Sequence, residues 1–245
     1  MKKISKKIIR RLLCSIGIVC IIAAVAKLSS SYNDGVIPAS VNFSEDMPII
    51  VLDAGHGGMD GGCSTADGIS EKGINLNILL KVRDMLRVSG YDVQVTRDTD
   101  KSIHDKGIEG IANQKSSDMD NRLALFNKYP NSVCISIHQN QFTDPKYSGA
   151  QMFYSDTNSQ NERLAEIMQG QFVKFIQPDN QREIKLCGKE LFLCYFSENP
   201  TVMVECGFLS NPEECAALST SAYRKKLALV TAFAYLEPKG TPPID

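Results

Sequence analysis

The sequence contains eight cysteines but no C-x-x-C pair, so its cysteine spacing does not by itself imply disulfides or a thiolate metal site. Their even number after residue 26 permits disulfides if that part of the chain is exported. Several of them lie inside apolar, strand-like runs, and a domain of this size does not need disulfide bonds for its stability. We therefore predict that the six are mostly free, buried thiols: Cys63, Cys134, Cys187, Cys194, Cys206 and Cys215.

The chain also has no excess of positive charge outside its first 26 residues. That segment holds six basic side chains and no acidic one, which leaves 21 Lys and Arg against 28 Asp and Glu, a net charge of −7. Binding to nucleic acid requires a basic surface, so nucleic acid is excluded as a partner. With 43% hydrophobic residues and no internal repeat, the rest of the chain is predicted to form one globular domain.

The N-terminal segment, residues 1–27, has the order of features found in a signal peptide or a signal anchor. Six basic residues precede an uncharged run over residues 12–26, and this run is short for a bilayer span of about 20 residues. Ala24-Val25-Ala26 offers a cleavage site, but an uncleaved anchor stays open. Either way the remainder is predicted to be exported, with membrane contact only through this segment.

Composition divides the exported part further. Residues 28–46 are rich in Ser, Asn, Asp, Pro and Gly without periodicity, which indicates a linker. Residues 47–237 are predicted to form the globular domain, and residues 238–245 a flexible tail.

Within the domain, β-rich apolar runs alternate with amphipathic helical patterns, which predicts an α/β fold with helices packed on a sheet. The stretch 98–117 lacks a sustained period and is predicted to be an irregular surface excursion. Strands are expected at 49–52, 91–96, 133–137, 151–154 and 201–204, and helices at about 70–88, 119–128, 161–175 and 221–235.

Three of the strand-like runs lead into side chains that can bind or assist a metal ion. His56 follows the first run, His138 follows 133–137, and Glu205 follows 201–204, while Glu71 stands at the start of the first long helix. Open α/β sheets place their active sites at the carboxyl ends of strands. Four separate segments are therefore expected to converge on one crevice.

Two imidazoles and one carboxylate suit a catalytic zinc, which takes three protein ligands and keeps a position open for water. We assign one Zn²⁺ ion to His56, Glu71 and His138. Gly57 and Gly58 are expected to allow a sharp turn and to leave room beside the metal. Glu205, after an apolar run, is the candidate carboxylate that accepts the proton of the water and passes it to the leaving nitrogen.

Each of these residues also has a purely structural interpretation. His138 alone would most often be a satisfied core or cap residue, Glu71 alone a helix N-terminal carboxylate, and Glu205 alone a member of a buried ion pair. The combination at matching strand ends is what favours the metal site.

Other candidate ligands are weaker. His104 lies among Lys and Asp in the irregular stretch and is interpreted as solvated. Cys134 and Cys206 lie close in sequence to His138 and Glu205 and are the thiols best placed to compete for zinc. A thiolate set would suit a structural site better.

The residues in these positions resemble the motifs of the zinc-dependent N-acetylmuramoyl-L-alanine amidases. In order along the chain they are Asp53-Ala54-Gly55-His56-Gly57-Gly58 with Asp60, Ser70-Glu71-Lys72 with Asn75-Leu76, Ser136-Ile137-His138, and Val204-Glu205-Cys206-Gly207-Phe208-Leu209-Ser210-Asn211. Four ordered motifs over residues 48–235 make this a specific match. The chain departs from the family pattern at Gln139 and Cys206, where Ala and Thr are usual.

The resemblance implies a twisted, mostly parallel sheet sandwiched between helices, with zinc bound by His56, Glu71 and His138 at the carboxyl ends of the strands. It implies Glu205 as the catalytic carboxylate and, as substrate, the amide between N-acetylmuramic acid and L-alanine in peptidoglycan. Within the family, the short chain with an N-terminal hydrophobic segment and no wall-binding repeats resembles the germination-specific amidases, which prepare spore cortex for muramic-δ-lactam formation.

Three other functions remain open. A zinc carboxypeptidase acting on stem peptides would use a related fold, although its usual H-x-x-E step is absent, since His56 and Glu71 lie 15 positions apart. A non-catalytic wall-binding or scaffold protein should have lost a ligand, and none is missing. The third is an amidase that needs an activating protein partner to hold zinc firmly or to open its groove.

Overall fold

In a computed structural model, residues 47–65 and 68–236 are described, and they form an α/β sandwich around one sheet. Within them the six strands follow the order β2-β1-β3-β6-β4-β5, and every pairing is parallel except that of β4 with β6. This confirms the predicted fold class. The strands are β1 Ile50–Ala54, β2 Val93–Val95, β3 Val133–Asn140, β4 Gln151–Tyr154, β5 Lys185–Leu186 and β6 Thr201–Phe208.

Helices cover both faces of the sheet. The larger apolar core joins one face to α1, α3 and α6, and a smaller cluster joins the other face to α2 and α4. The alternation of side chains along β1 shows this division, because Ile50 and Leu52 enter the larger core while Val51 enters the smaller cluster. The helices are α1 Glu71–Val88, α2 Ile111–Asn127, α3 Asn161–Phe175, α4 Phe192–Phe196, α5 Pro212–Ser219 and α6 Ser221–Leu236.

Helix α2 begins earlier than predicted. A start near residue 119 was expected, but the helix begins at Ile111, directly after Gly110 in a positive-φ conformation. Its buried positions are Asp118, Arg122 and Phe126. Because two of these three are charged, the helix shows little apolar periodicity, and the supposed irregular stretch therefore ends at residue 110.

The two central strands are longer than predicted. β3 and β6 continue past residues 137 and 204, so His138 and Glu205 lie within the strands instead of just after them. His138 and Glu205 are register partners, so they lie side by side on these two neighbouring strands. β5, α4 and α5 were not predicted, although Asn211 before Pro212 is a typical helix start.

The predicted N-terminal segment 1–27, the linker 28–46 and the tail 238–245 lie outside the described residues. Among the helices that are described, none combines the length and the apolar character needed to cross a membrane.

Candidate active site

His56 stands in a strained turn directly after β1. Its φ of 64° is a left-handed conformation that non-glycine residues seldom adopt, and Gly57 and Gly58 after it also have positive φ values. The turn places His56 Nδ1 2.7 Å from Asp60 Oδ2 and His56 Nε2 3.2 Å from Glu71 Oε2. Asp60 thus orients the imidazole from the side opposite Glu71.

Glu71, the first residue of α1, is almost completely buried, with 1% of its surface exposed. Its Oε2 accepts a hydrogen bond from the Cys63 backbone N–H, and its Oε1 accepts from the Gln139 N–H and from Asn75 Nδ2. A helix N-terminal carboxylate that only complements the helix dipole would be solvated. Three donors, from the loop before the helix, from β3 and from the helix itself, instead fix both oxygens of Glu71 between the two histidines.

His138 reaches the same carboxylate from β3, with Nδ1 3.0 Å from Glu71 Oε1. Two glycines make room for this convergence. A Cβ on Gly55 would overlap the His138 ring, and one on Gly62 would lie 2.5 Å from Glu71 Oε2. Gly57 and Gly58, which the sequence suggested for this role, instead pack against Arg97, Lys101 and Ser102.

The ligand atoms of His56, Glu71 and His138 lie within 4.8 Å of one another, the single such group among residues 47–65 and 68–236. Because Asp60 accepts from Nδ1 of the neutral imidazole, His56 Nε2 and Glu71 Oε2 face each other as two acceptors. Burial lowers the pKa of His56, but the hydrogen bonds and charges of Glu71 and Asp60 outweigh it and raise that pKa to about 9. The arrangement therefore needs a cation, a proton or a metal ion, between its donors.

The same balance acts on Glu71. Burial alone would raise the pKa of this carboxyl, but hydrogen bonds and charges from His138 and His56 hold the pKa well below its usual range. A carboxylate that stays ionised beside two imidazoles suits a divalent transition metal. The donor set and the two glycine clearances therefore fit a bound metal ion.

Glu205 projects from β6 next to His138 and is only half-buried, yet its Oε2 is shielded from solvent and has no hydrogen-bond partner within the described part of the chain. Burial raises the pKa of Glu205 to about 7; the charges of His138 and His56 oppose this rise and that of Glu71 adds to it. A carboxyl group with a pKa near neutrality can both accept and donate a proton. Within residues 47–65 and 68–236 Glu205 forms no salt bridge, so these residues do not support its interpretation as a member of a buried ion pair.

Beneath the site lies a buried ion-pair network that the sequence did not reveal. Arg122 of α2 contacts Asp53 of β1 at 2.5 Å and Asp118 at 2.7 Å, and it donates to the carbonyl oxygens of Ala54 and His56. The network ties the His56 turn to the sheet and to α2. The polar residues Asp53, Asp118 and Arg122 in otherwise structured segments were the available signal.

The remaining candidates lie elsewhere. His104 is half-buried and pairs with Ser102 Oγ at 2.8 Å, outside the metal-type group. Cys134 packs in the smaller apolar cluster and Cys206 in the larger core. The cysteine that contacts the site is Cys63, through its backbone N–H to Glu71.

The two departures from the family pattern are buried behind the site. Gln139 is 2% exposed and donates from Nε2 to Asn75 Oδ1, and Cys206 is completely buried. Neither side chain lines the site, so both concern the support of Glu71 and the core more than the fit of a substrate.

A His-Glu-His group with a separate carboxylate at the edge of a mostly parallel sheet is an arrangement that suits a metal-dependent hydrolase. Residues 50–234 match the model of the N-acetylmuramoyl-L-alanine amidase family. The chain belongs to this family and is an amidase.

Known relatives agree with this assignment. The chain is 33% identical over 220 residues to the germination-specific N-acetylmuramoyl-L-alanine amidase of Bacillus subtilis, covering 89% of this chain and 91% of that protein. Among solved structures it resembles the CwlD amidase of Clostridioides difficile in complex with the GerS lipoprotein, with a TM-score of 0.75, 33% identity and coverage of 78% of this chain and 98% of that one. It also resembles an N-acetylmuramoyl-L-alanine amidase of Clostridium difficile 630, with a TM-score of 0.67, 26% identity and coverage of 79% and 98%.

Proposed function

We propose that this amidase is zinc-dependent and cleaves the amide between N-acetylmuramic acid and L-alanine in spore cortex peptidoglycan. The observation that carries the proposal is the convergence of His56, Glu71 and His138 beside the unpartnered oxygen of Glu205. The cortex role is supported by the likeness to a germination-specific relative over nearly the whole length of both chains.

His56, Glu71 and His138 would hold one Zn²⁺ ion. When bound, zinc would polarise the scissile carbonyl and lower the pKa of a coordinated water to about 7. Asp60 keeps the His56 ring in the tautomer whose Nε2 is free to coordinate, because it accepts the proton of Nδ1. The hydrogen bonds to Glu71 hold its carboxylate ionised and fixed.

Glu205 would perform the proton transfers. Its carboxylate accepts a proton from the attacking water and delivers it to the nitrogen of L-alanine as the amide bond breaks. The shielded Oε2 has no competing hydrogen bond among the described residues, so it is available for this exchange. A pKa raised toward neutrality balances the two directions of transfer.

The proposed place of action is the cell envelope, outside the cytoplasmic membrane. Residues 1–27 would direct export, as a signal peptide or an anchor, and residues 47–237 would act on the wall. Because the C. difficile relative was solved with a lipoprotein, a protein partner that assists this chain is also part of the proposal. Digestion of purified peptidoglycan by the domain alone measures whether such a partner is needed.

The test is digestion of purified peptidoglycan by the zinc-loaded protein, with mass spectrometry of the released fragments. Intact stem peptides beginning at L-alanine are expected, and a Glu205→Gln variant that still binds zinc should release none. Shortened stem peptides would show a carboxypeptidase instead. If zinc is bound in a one-to-one ratio but nothing is released, the domain is inactive alone and requires an activating protein partner.

A further inference from the structure

Arg97 is a buried arginine that lies beneath the site and was absent from the motifs identified in the sequence. It follows β2, and only 1% of its surface is exposed. Its guanidinium donates from Nε to Ala54 O at 2.9 Å, and from Nη2 to Gly55 O at 3.0 Å and Lys72 O at 2.8 Å. A fourth, longer hydrogen bond reaches Thr99 O.

These acceptors belong to two different segments. Ala54 and Gly55 immediately precede His56, and Lys72 immediately follows Glu71. A single planar group therefore holds the turn that carries one imidazole against the first turn of the helix that carries the carboxylate. The packing is close, because a Cβ on Gly57 would lie 2.9 Å from both Cδ and Nε of Arg97.

The buried charge of Arg97 does not stabilise the fold through a direct ion pair. In the described part of the chain its hydrogen bonds go to neutral carbonyl oxygens, and no carboxylate lies within ion-pair distance. Burial and the charge of Arg122 lower the pKa of Arg97, and the more distant charges of three carboxylates oppose this lowering only in part: Asp53, Asp100 and Asp118. Burying a charge without a direct counter-ion opposes folding, so the reason for an arginine here is geometric.

The geometry needs such support because the His56 turn is strained. A non-glycine residue in the left-handed region is strained and persists only when its surroundings hold it. Arg122 binds the carbonyl oxygens of Ala54 and His56. Arg97 binds those of Ala54 and Gly55, and of the two arginines it is the one that also binds a carbonyl of α1.

We propose that Arg97 is a positioning residue that sets the spacing between His56 and Glu71, so that the metal donors are assembled before the metal arrives. The inference rests on the proposed function, since it assumes that these donors bind zinc. A lysine cannot replace Arg97, because a single ammonium nitrogen lacks the fork that spans two segments.

The experiment measures the zinc dissociation constant of the full-length protein by competition with a chelator, and the urea unfolding of the metal-free protein. Arg97→Lys is expected to weaken zinc binding by about 10- to 100-fold, the usual effect of losing a residue that orients ligands. Arg97→Gln removes the buried charge and keeps one amide donor group. It should weaken zinc binding in the same range, and it provides the test if the lysine variant does not fold.

Phe172→Leu is the matched control, because Phe172 is fully buried in the larger core and belongs to α3, a helix that carries none of the metal donors. It should lower resistance to urea while leaving the zinc dissociation constant within about twofold of the wild-type value. If the Arg97 variants behave like this control, Arg97 is merely structural and the inference is overturned. If the wild-type protein itself binds no zinc, the proposed metal centre fails first, and the inference fails with it.

Discussion

Replacing Glu205 with glutamine should abolish amidase activity and at the same time stabilise the metal-free protein at alkaline pH. In the folded protein the pKa of Glu205 is about 7, and its ordinary value is 4.5. The folded state therefore binds the proton more tightly than the unfolded chain. The free energy of unfolding decreases as the pH rises from 4.5 through 7, because the ionised carboxylate must then stay in the shielded site.

The magnitude follows from the two pKa values. Each tenfold difference in proton affinity is worth about 1.4 kcal/mol, so the full penalty above pH 7 is at most about 3.5 kcal/mol. The half-buried side chain is partly screened by solvent, which reduces the expected gain from Glu205→Gln to about 2 kcal/mol at pH 8. At pH 5 the gain should fall below about 1 kcal/mol, because the folded wild-type protein is then protonated at this position.

The assay is urea unfolding of both proteins after removal of metal by a chelator, at pH 5 and pH 8. Comparison at each pH cancels the titration of every other group that is unaffected by the substitution. An equal free energy of unfolding for the two proteins at both pH values would show that Glu205 titrates near its ordinary pKa. The argument that burial prepares it for proton transfer would then be refuted.

Three other perturbations test the surroundings of the site. Asp60→Asn removes the charge that orients the first imidazole and should weaken zinc binding by about 10- to 100-fold in a chelator competition. Arg122→Met leaves two buried carboxylates without their cation and should lower the free energy of unfolding by about 3–5 kcal/mol in urea. Gly55→Ala places a methyl group inside the His138 ring and should abolish zinc retention on gel filtration, whereas Gly61→Ala, with only an ordinary 3.6 Å contact, should retain it.

The elements with apolar periodicity could be predicted from the sequence. β4 and α3 have the predicted bounds, and α1 differs by one residue. Their apolar positions repeat at the spacing of the element, so the pattern itself contains the information. Helix α2 was placed too late because the residues it buries include Asp118 and Arg122.

Some residues of the site could likewise be predicted from the sequence, and others could not. The three metal-type donors could be predicted because chemistry restricts them to few residue types, and this chain has only three histidines. The side chains that support them, Arg97, Arg122 and Asn75, could not be predicted in this way. Asn75 with Glu71 and Arg122 with Asp118 do have the i, i+4 spacing of a helix. The hydrogen bonds that hold the His56 turn, however, go to backbone carbonyl oxygens far along the chain, and no local spacing records those contacts.

The supporting network also explains why so much charge is buried under a small site. Asp53, Arg97 and Arg122 are each 1% exposed, and replacing such groups by apolar residues often stabilises a protein. What an apolar core cannot do is bind three consecutive carbonyl oxygens of a turn held at positive φ. The carbonyls of residues 54–56 accept from these two arginines, so the network fixes the direction in which His56 leaves the strand. Burying these charges opposes folding, but the two arginines hold the backbone turn on which the geometry of the metal donors depends.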